Sequence, residues 1–488
     1  MKNFHINTYK TKIIFVFALA LPILGLVSSC KKDFLLKEPE LNLPDKEAFA
    51  NPTRILGQVN GLYTSAKSGN FLGGRYQIYN DIRGEDFINR LSNGVTGYTV
   101  YQATNNNADN YVANLWTYGY LTINRVNLFL KGLAQNSGVL SAAVQTNYEG
   151  EAKFIRALSY FSLIQIFAKP YVSDNGASRG LPLRLQAEET LENNGLKSST
   201  VAAVYAQILK DLNEAETALP ATYSTALLKT TRAHKNTAIA LKLRVYMAMG
   251  KYPEALIEGN KLVPQTGPFQ NTTNTAHALQ SNVANVFAAP YTTSESIFSF
   301  PFADTNTPGT QNQLGYYFNA GNLEYYFRAS AGIYGDAAWP ATDARKATLT
   351  ALYTGVGPYS AKFSGVSPFV DFVPIIRYAE VLLNVAECEA SITGGNLTRA
   401  RAILDAVRQR SDATYNFGVL TPSGLLAAIL KERRIELVTE GFNYNDLARR
   451  NTALTSFGAG SLIPVADARY TFPIPLLELN NNKLVNSF

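Results

Sequence analysis

Histidine, tryptophan, methionine and cysteine are all scarce in this chain of 488 residues: three, two, three and two copies respectively. His5 lies in a leader at the N-terminus, so only His234 and His277 remain beyond it. Two histidines so far apart in sequence argue against a His-rich metal centre and against a His-based triad. Charged residues are also sparse, at 17%, and their signs are interspersed, so the basic stripe that nucleic-acid binding needs is missing. The apolar run of the leader, Ile13 to Val27, falls short of the roughly 20 residues of a spanning helix. What is plentiful is 46% hydrophobic residues with 28 Tyr and 26 Phe, the composition of a globular chain with a large core.

The leader has the order of a secretory signal: Lys10 and Lys12, the apolar run, then Val27-Ser28-Ser29-Cys30. A cysteine directly after the small residues resembles a bacterial lipobox, which makes Cys30 the lipidated new N-terminus. Loss of residues 1–29 takes Lys2, Lys10 and Lys12 from the formal +7 and leaves about +4. Residues 30–44, with Lys31-Lys32-Asp33 and a Pro-bearing stretch to Pro44, read as a tether. Cys388 is then left without a disulfide partner; in Ala386-Glu387-Cys388-Glu389-Ala390 it reads as a small buried residue of a helix.

Helical periodicity predicts segments over about 45–66, 112–133, 149–167, 200–219, 233–249 and 253–263. Two segments read as helix–turn–helix units: Ala238 to Val263, broken at Gly250, and Ala379 to Arg410, broken at Gly394-Gly395. Small residues at Ala255, Ala400 and Ala402 and a period near 34 fit tetratricopeptide geometry. Between the helical blocks lie two stretches rich in Gly, Asn, Pro and aromatics, about 67–111 and 264–374, with one short strand at Ser294 to Phe300. Their aromatic content argues against disorder, so function is the better reading of such long loops.

Several motifs then converge on one family. They are Ser29-Cys30-Lys31-Lys32-Asp33-Phe34-Leu35, Trp116 with Tyr120, Ile123, Arg125 and Asn127, and Gly150-Glu151-Ala152-Lys153-Phe154-Ile155-Arg156-Ala157-Leu158. Further along come Arg377-Tyr378-Ala379-Glu380, Ala406-Val407-Arg408-Gln409-Arg410, Glu432-Arg433-Arg434-Ile435-Glu436-Leu437 with Glu440-Gly441, and Pro473-Ile474-Pro475. In this order they resemble the SusD/RagB family, surface lipoproteins of Bacteroidetes that capture nutrients. Asn443 departs from the pattern, standing where the family usually has Arg after Glu-Gly-x. The resemblance implies a mostly α fold, with a tetratricopeptide-like helix-pair scaffold and long irregular ligand-binding loops. It divides residues 45–488 into parts of about 45–265 and 266–488 within one domain. It also implies an outer-membrane, lipid-anchored protein facing outward, and a partner, a SusC-like TonB-dependent transporter. No cofactor, metal or nucleic acid is implied.

Sugar rings pack their C–H faces on aromatic rings and need directional donors and acceptors for their hydroxyls. Two loop stretches combine both. One offers Asp81, Arg83 and Asn89 with Tyr98 and Tyr101; the other offers Asn322 and Arg328 with Tyr316, Tyr325 and Trp339. Trp339, in a loop and followed by Pro340, is the leading single candidate, whereas Trp116 reads as scaffold. The array Glu432-Arg433-Arg434-Ile435-Glu436 reads as a salt-bridged helix face at i,i+3 and i,i+4 spacing. Asp81, Glu85 and Asp86 lack EF-hand spacing. Cargo stays open between oligosaccharide and, as in the RagB branch, peptide. A glycoside hydrolase is the remote alternative, because no spacing marks the two carboxylates it requires.

Overall fold

The computed structural model describes residues 45–190, 192 and 194–488; the leader, Cys30 and the tether lie outside the described residues. The first helical segment is split into α1 (Asp45–Ala48) and α2 (Pro52–Ala66). Asn51 caps α2 by accepting a hydrogen bond from the Arg54 N–H at 3.0 Å, and Pro52 occupies the first turn, where its missing N–H costs nothing. Within the first loop stretch the periodicity missed α3 (Arg75–Ile82), in which every residue is buried. A helix enclosed on all sides carries no amphipathic stripe to read. A single turn, α4 (Tyr98–Tyr101), precedes the long antiparallel pair α5 (Asn110–Gln135) and α6 (Ala142–Phe167).

Helix α6 packs against both α5 and α7 (Val201–Ala218) and is apolar along its C-terminal half. Its two buried charges are matched. Glu151 accepts from Arg232 at 2.5 and 2.6 Å and from the Tyr63 hydroxyl at 2.5 Å, and Arg156 forms a bidentate pair with Asp211 at 2.7 and 2.8 Å. After α8 (Ala226–Thr231) come the two expected helix pairs, α9 (Lys235–Ala248) with α10 (Tyr252–Gly259) and α13 (Tyr378–Ser391) with α14 (Leu397–Ser411). Gly250 makes the first turn with φ of 69°, a left-handed conformation open to glycine. Helix α10 packs on α13, so units more than a hundred residues apart stack as one tetratricopeptide-like scaffold.

The loop-rich stretch between them carries α11 (Leu314–Phe318) and α12 (Ala344–Leu349) and most of the strands. All strand pairs are two-stranded and antiparallel: β1 (Phe87–Asn89) with β3 (Tyr325–Phe327), β2 (Ser296–Phe300) with β6 (Val373–Arg377), β4 (Thr350–Tyr353) with β5 (Gly357–Ser360), and β7 (Leu454–Ser456) with β8 (Ser461–Ile463). Helices α15 (Pro422–Glu436), α16 (Asn443–Ala448) and α17 (Leu476–Asn481) complete the chain. Among the described residues no helix is long and apolar enough to cross a membrane.

The acidic and basic residues of α15 differ from the sequence expectation. Instead of pairing along a solvated face, Glu432 and Glu436 are buried and reach residues of other elements. Glu436 accepts from Arg345 on α12 at 2.8 Å, Arg377 at the end of β6 at 3.0 Å and Arg410 on α14 at 2.6 Å. Glu432 takes Arg345 at 2.6 Å and Arg408 at 2.6 Å, while Glu295 and Glu440 close the circuit on Arg377 at 2.6 and 2.7 Å. Burial alone would push the Glu436 carboxyl up, but the Arg410, Arg377 and Arg345 guanidiniums overcome it and hold it well below the usual range.

His234 and His277, distant in sequence, are stacked with ring centroids 5.6 Å apart and are both buried. Burial lowers His277 to about 4, and burial together with the His277 charge lowers His234 to about 3. Among the described residues no group of three or more His, Cys, Asp or Glu is placed to hold a metal ion. Cys388 is fully buried, and burial pushes its thiol up.

Two outcomes follow from these buried charges. Glu436→Gln strips a carboxylate from three guanidiniums and is expected to cost about 3–5 kcal/mol in urea unfolding, as breaking a buried ion pair does. Because the histidines are held neutral in the fold, the unfolded chain takes up the extra protons. Their contribution is therefore full above pH 6.5 and is lost as pH falls toward 4. Urea titrations across that window should show His277→Gln losing about 1.4 kcal/mol less per pH unit than the native chain.

Candidate functional site

The two loop stretches flagged in the sequence meet in space. A Cβ at Gly69 would stand 1.9 Å from the Pro308 carbonyl oxygen, and one at Gly74 would stand 1.8 Å from that of Asn312. Only glycine lets these backbones approach so closely. Further along, β1 pairs with β3 in the register Phe87↔Phe327, Ile88↔Tyr326 and Asn89↔Tyr325. Alternation puts Phe87, Tyr325 and Phe327 inward, with Ile88 and Tyr326 on the outer face.

Between the joined loops opens a cleft of about 340 Å³. Its walls come from Asn70, Arg75 on α3, Asn110, Tyr111 and Asn114 at the start of α5, and Asn312. Asn110 and Asn114 lie one turn apart, which places both amides on one side of the helix. Arg75 is 6% exposed and holds the site together. Its Nε donates to Asn312 Oδ1 at 2.7 Å, and its Nη1 donates to the Tyr79 hydroxyl at 2.9 Å and the Val95 carbonyl at 2.8 Å. The guanidinium lies 5.7 Å from the centre of the half-buried Tyr111 ring and 5.4 Å from that of Tyr317. Burial disfavours the Arg75 charge, and the neighbouring phenols Tyr79 and Tyr317 more than offset it, leaving the group above the usual arginine value. The cleft thus combines a partly exposed aromatic ring, carboxamides and a fixed cation, groups that bind polar rings with hydroxyl or acidic substituents.

The sequence-nominated residues fall partly elsewhere. Trp339 is 2% exposed, set edge-on to Phe327 at 6.3 Å and against Tyr334 at 6.0 Å, so its ring has no open face. Its loop position misleads because that loop folds into the main hydrophobic core. Tyr101 and Tyr325 are likewise buried, in a chain of rings: Tyr98 stacks on Tyr101 at 6.2 Å, Tyr101 meets Tyr325 at 5.6 Å, and Tyr325 stacks on Tyr317 at 6.1 Å. Asp81 is buried and accepts backbone N–H groups of Gly441 and Asn443 at 2.8 and 3.2 Å; burial raises its carboxyl to about 7. Arg83 is buried over the Tyr444 ring at 4.1 Å and donates to the Tyr470 carbonyl at 2.5 Å. These five are structural in position, which corrects the reading of them as ligand contacts.

The remaining nominees are half-buried at the rim of the β1–β3 ribbon. Asn89 accepts from the Ser92 N–H at 2.6 Å, and Asn322 donates to Glu324 at 2.9 Å. Arg328 lies 4.2 Å over Phe457 and donates to the Glu85 carbonyl at 3.1 Å. Tyr316 sits edge-on to Phe369 at 5.8 Å, and Tyr98 forms the outer end of the ring chain. Sequence reasoning missed Arg75, Asn110, Tyr111, Asn114 and Asn312. The one available signal was amide residues four apart at the start of a predicted helix.

Two larger cavities are chemically less suited. One, of about 440 Å³, is lined by charges already paired, such as Arg434 with Glu85 at 2.9 Å. The other, of about 640 Å³, lies along α2 and α5 and is walled by Phe49, Leu62, Leu128 and Phe129 with scattered polar residues.

Comparisons with known proteins agree with this architecture. Residues 33–247 match the family described as starch-binding associating with outer membrane, and residues 371–473 match the SusD family. A SusD superfamily protein from Bacteroides fragilis is 36% identical, with a TM-score of 0.82 over 90% of this chain and 100% of its own. The SusD-like protein P2 of Formosa agariphila is 25% identical over 93% of this chain and 95% of its own. A laminarin-binding SusD-like protein shares the fold at a TM-score of 0.69, with 22% identity, over 90% of this chain and 100% of its own.

Trp339→Ala is expected to cost about 3–5 kcal/mol of stability, as for a buried aromatic, measured by thermal or urea unfolding. A ring that instead served a ligand from the surface would leave stability unchanged.

Proposed function

We propose, from the premise that this chain belongs to the SusD/RagB family, that it is a glycan-binding protein held at the outer membrane through a lipidated Cys30. It captures oligosaccharide without turning it over and hands it to a SusC-like TonB-dependent transporter. The observation that carries the reading is the cleft where the two loop stretches join. There Tyr111 offers a ring face beside the amides of Asn70, Asn110 and Asn114 and the guanidinium of Arg75. The family description, starch-binding associating with outer membrane, and the laminarin-binding relative support the same cargo class.

The cleft favours rings over an extended peptide. Peptide capture by strand addition needs a free strand edge, and what lines this cleft is side-chain amides, a tyrosine ring and a guanidinium on helices and turns. Calorimetric titration against a panel of oligosaccharides and peptides tests the assignment. Binding of at least one glycan, weakened about tenfold (about 1.4 kcal/mol) by Tyr111→Ala with folding intact, is expected. Binding of peptides alone would overturn it, and glycan binding indifferent to Tyr111 would move the site to the outer face of the β1–β3 ribbon.

A further inference from the structure

Among the described residues three buried cations, Lys67, Arg75 and Arg83, have no carboxylate at ion-pair distance, and of the three it is Arg75 that lines the cleft. Arg345, Arg377 and Arg408 each meet carboxylates at ion-pair distance. Arg75, at 6% exposure, meets none among the described residues: its partners are an amide oxygen, a phenol and a backbone carbonyl. Its Nη2 has no hydrogen-bond partner among the described residues, and the side chain lines the cleft. The phenols and the amide keep this guanidinium charged but do not neutralise it, and a cation left so at the wall of a cleft is set to receive an anion.

A second feature points the same way. Helix α5, 26 residues long, begins at this cleft with Asn110, and its N-cap residue Asp109 makes no side-chain cap hydrogen bond. The unsatisfied N–H groups and the positive end of the helix dipole therefore lie at the same opening. The carboxylate beside Tyr111, Asp109, is held by the Thr99 hydroxyl and the Asn106 N–H, both at 3.1 Å. Glu324, near Tyr317, is held by Thr96 at 3.0 Å and Asn322 at 2.9 Å. Neither makes an ion pair with Arg75. The amide of Asn70, the exposed Asn110 and the hydroxyl of Thr310 add neutral donors around it.

We infer that the cleft recognises an acidic glycan, with Arg75 and the start of α5 binding a ring-borne oxyanion, a uronate carboxylate or a sulfate ester. This rests on the glycan-binding reading and narrows it to a charge class. Neutral chains lack the group that would compensate the cation, so discrimination comes from charge as well as shape.

The test uses the folded mature chain with matched ligand pairs: oligogalacturonate against its methyl ester, and a sulfated galactan oligosaccharide against its desulfated form. At low salt one acidic member should bind at least about tenfold more tightly than its neutral counterpart, the scale of a charge-assisted contact. Which pair shows the gap tells carboxylate from sulfate. The gap should narrow from about 0.01 M to about 1 M salt, as the Debye length falls from about 30 to about 3 Å. Arg75→Gln should bring the acidic-to-neutral ratio to about one. Should that variant fold poorly, Asn114→Asp, which sets a carboxylate in the cleft beside Arg75, should lower the ratio to about one or invert it. Equal affinity within both pairs in the native chain overturns the acidic assignment and leaves glycan binding standing. Failure of every glycan, with peptides bound, overturns both.

Discussion

The fold turns on one carboxylate. Glu436 receives three arginines from three separate elements, α12, β6 and α14, in a place water does not reach. Each of those arginines needs a carboxylate to offset its own desolvation, and Glu432, Glu440, Glu295 and Asp343 supply the rest. Such a network is stable only when every member is present and correctly placed. It fixes the end of the second loop stretch to the C-terminal helices, so the loops are anchored to the scaffold at both ends.

That anchoring explains how long aromatic loops hold a site. From the cleft the ring chain runs from Arg75 through the buried Tyr317, Tyr325 and Tyr101 and out again to the half-buried Tyr98. Buried rings in edge and stacked contacts join the loops to the main core, so they behave as a packed layer. The ligand-facing groups are then those left at its edges: Tyr111 and the carboxamides at one end, and the outer face of the β1–β3 ribbon at the other. A cation held by three hydrogen bonds in that layer has little freedom, which favours selective recognition.

Much of the scaffold was legible in the residues. The periodicity of Val201–Ala218, the glycine break at Gly250 and the paired helices around Cys388 are readable because amphipathic stripes and turn residues act locally. Helix α3 was not, because a helix buried all round shows no stripe. The charges of α15 read as structural from spacing alone, yet their partners lie 91 residues away for Glu436 with Arg345 and 349 for Arg434 with Glu85, beyond any spacing rule. Trp339 was misplaced for a related reason: a large ring in a loop has the same local sequence whether the loop packs or opens to water.

The sequence by itself determined the family, the helical scaffold, and that two aromatic, amide-rich loop stretches interrupt it, since motifs, periodicity and composition are properties of neighbours along the chain. Which of those aromatics face outward, and that Arg75 stands between Asn312 and Tyr111 without a counter-ion among the described residues, only the tertiary structure decided. The reason is physical: burial and charge compensation depend on groups brought together across some 240 residues of chain, as Arg75 and Asn312 are. No local pattern records whether a cation will find its carboxylate.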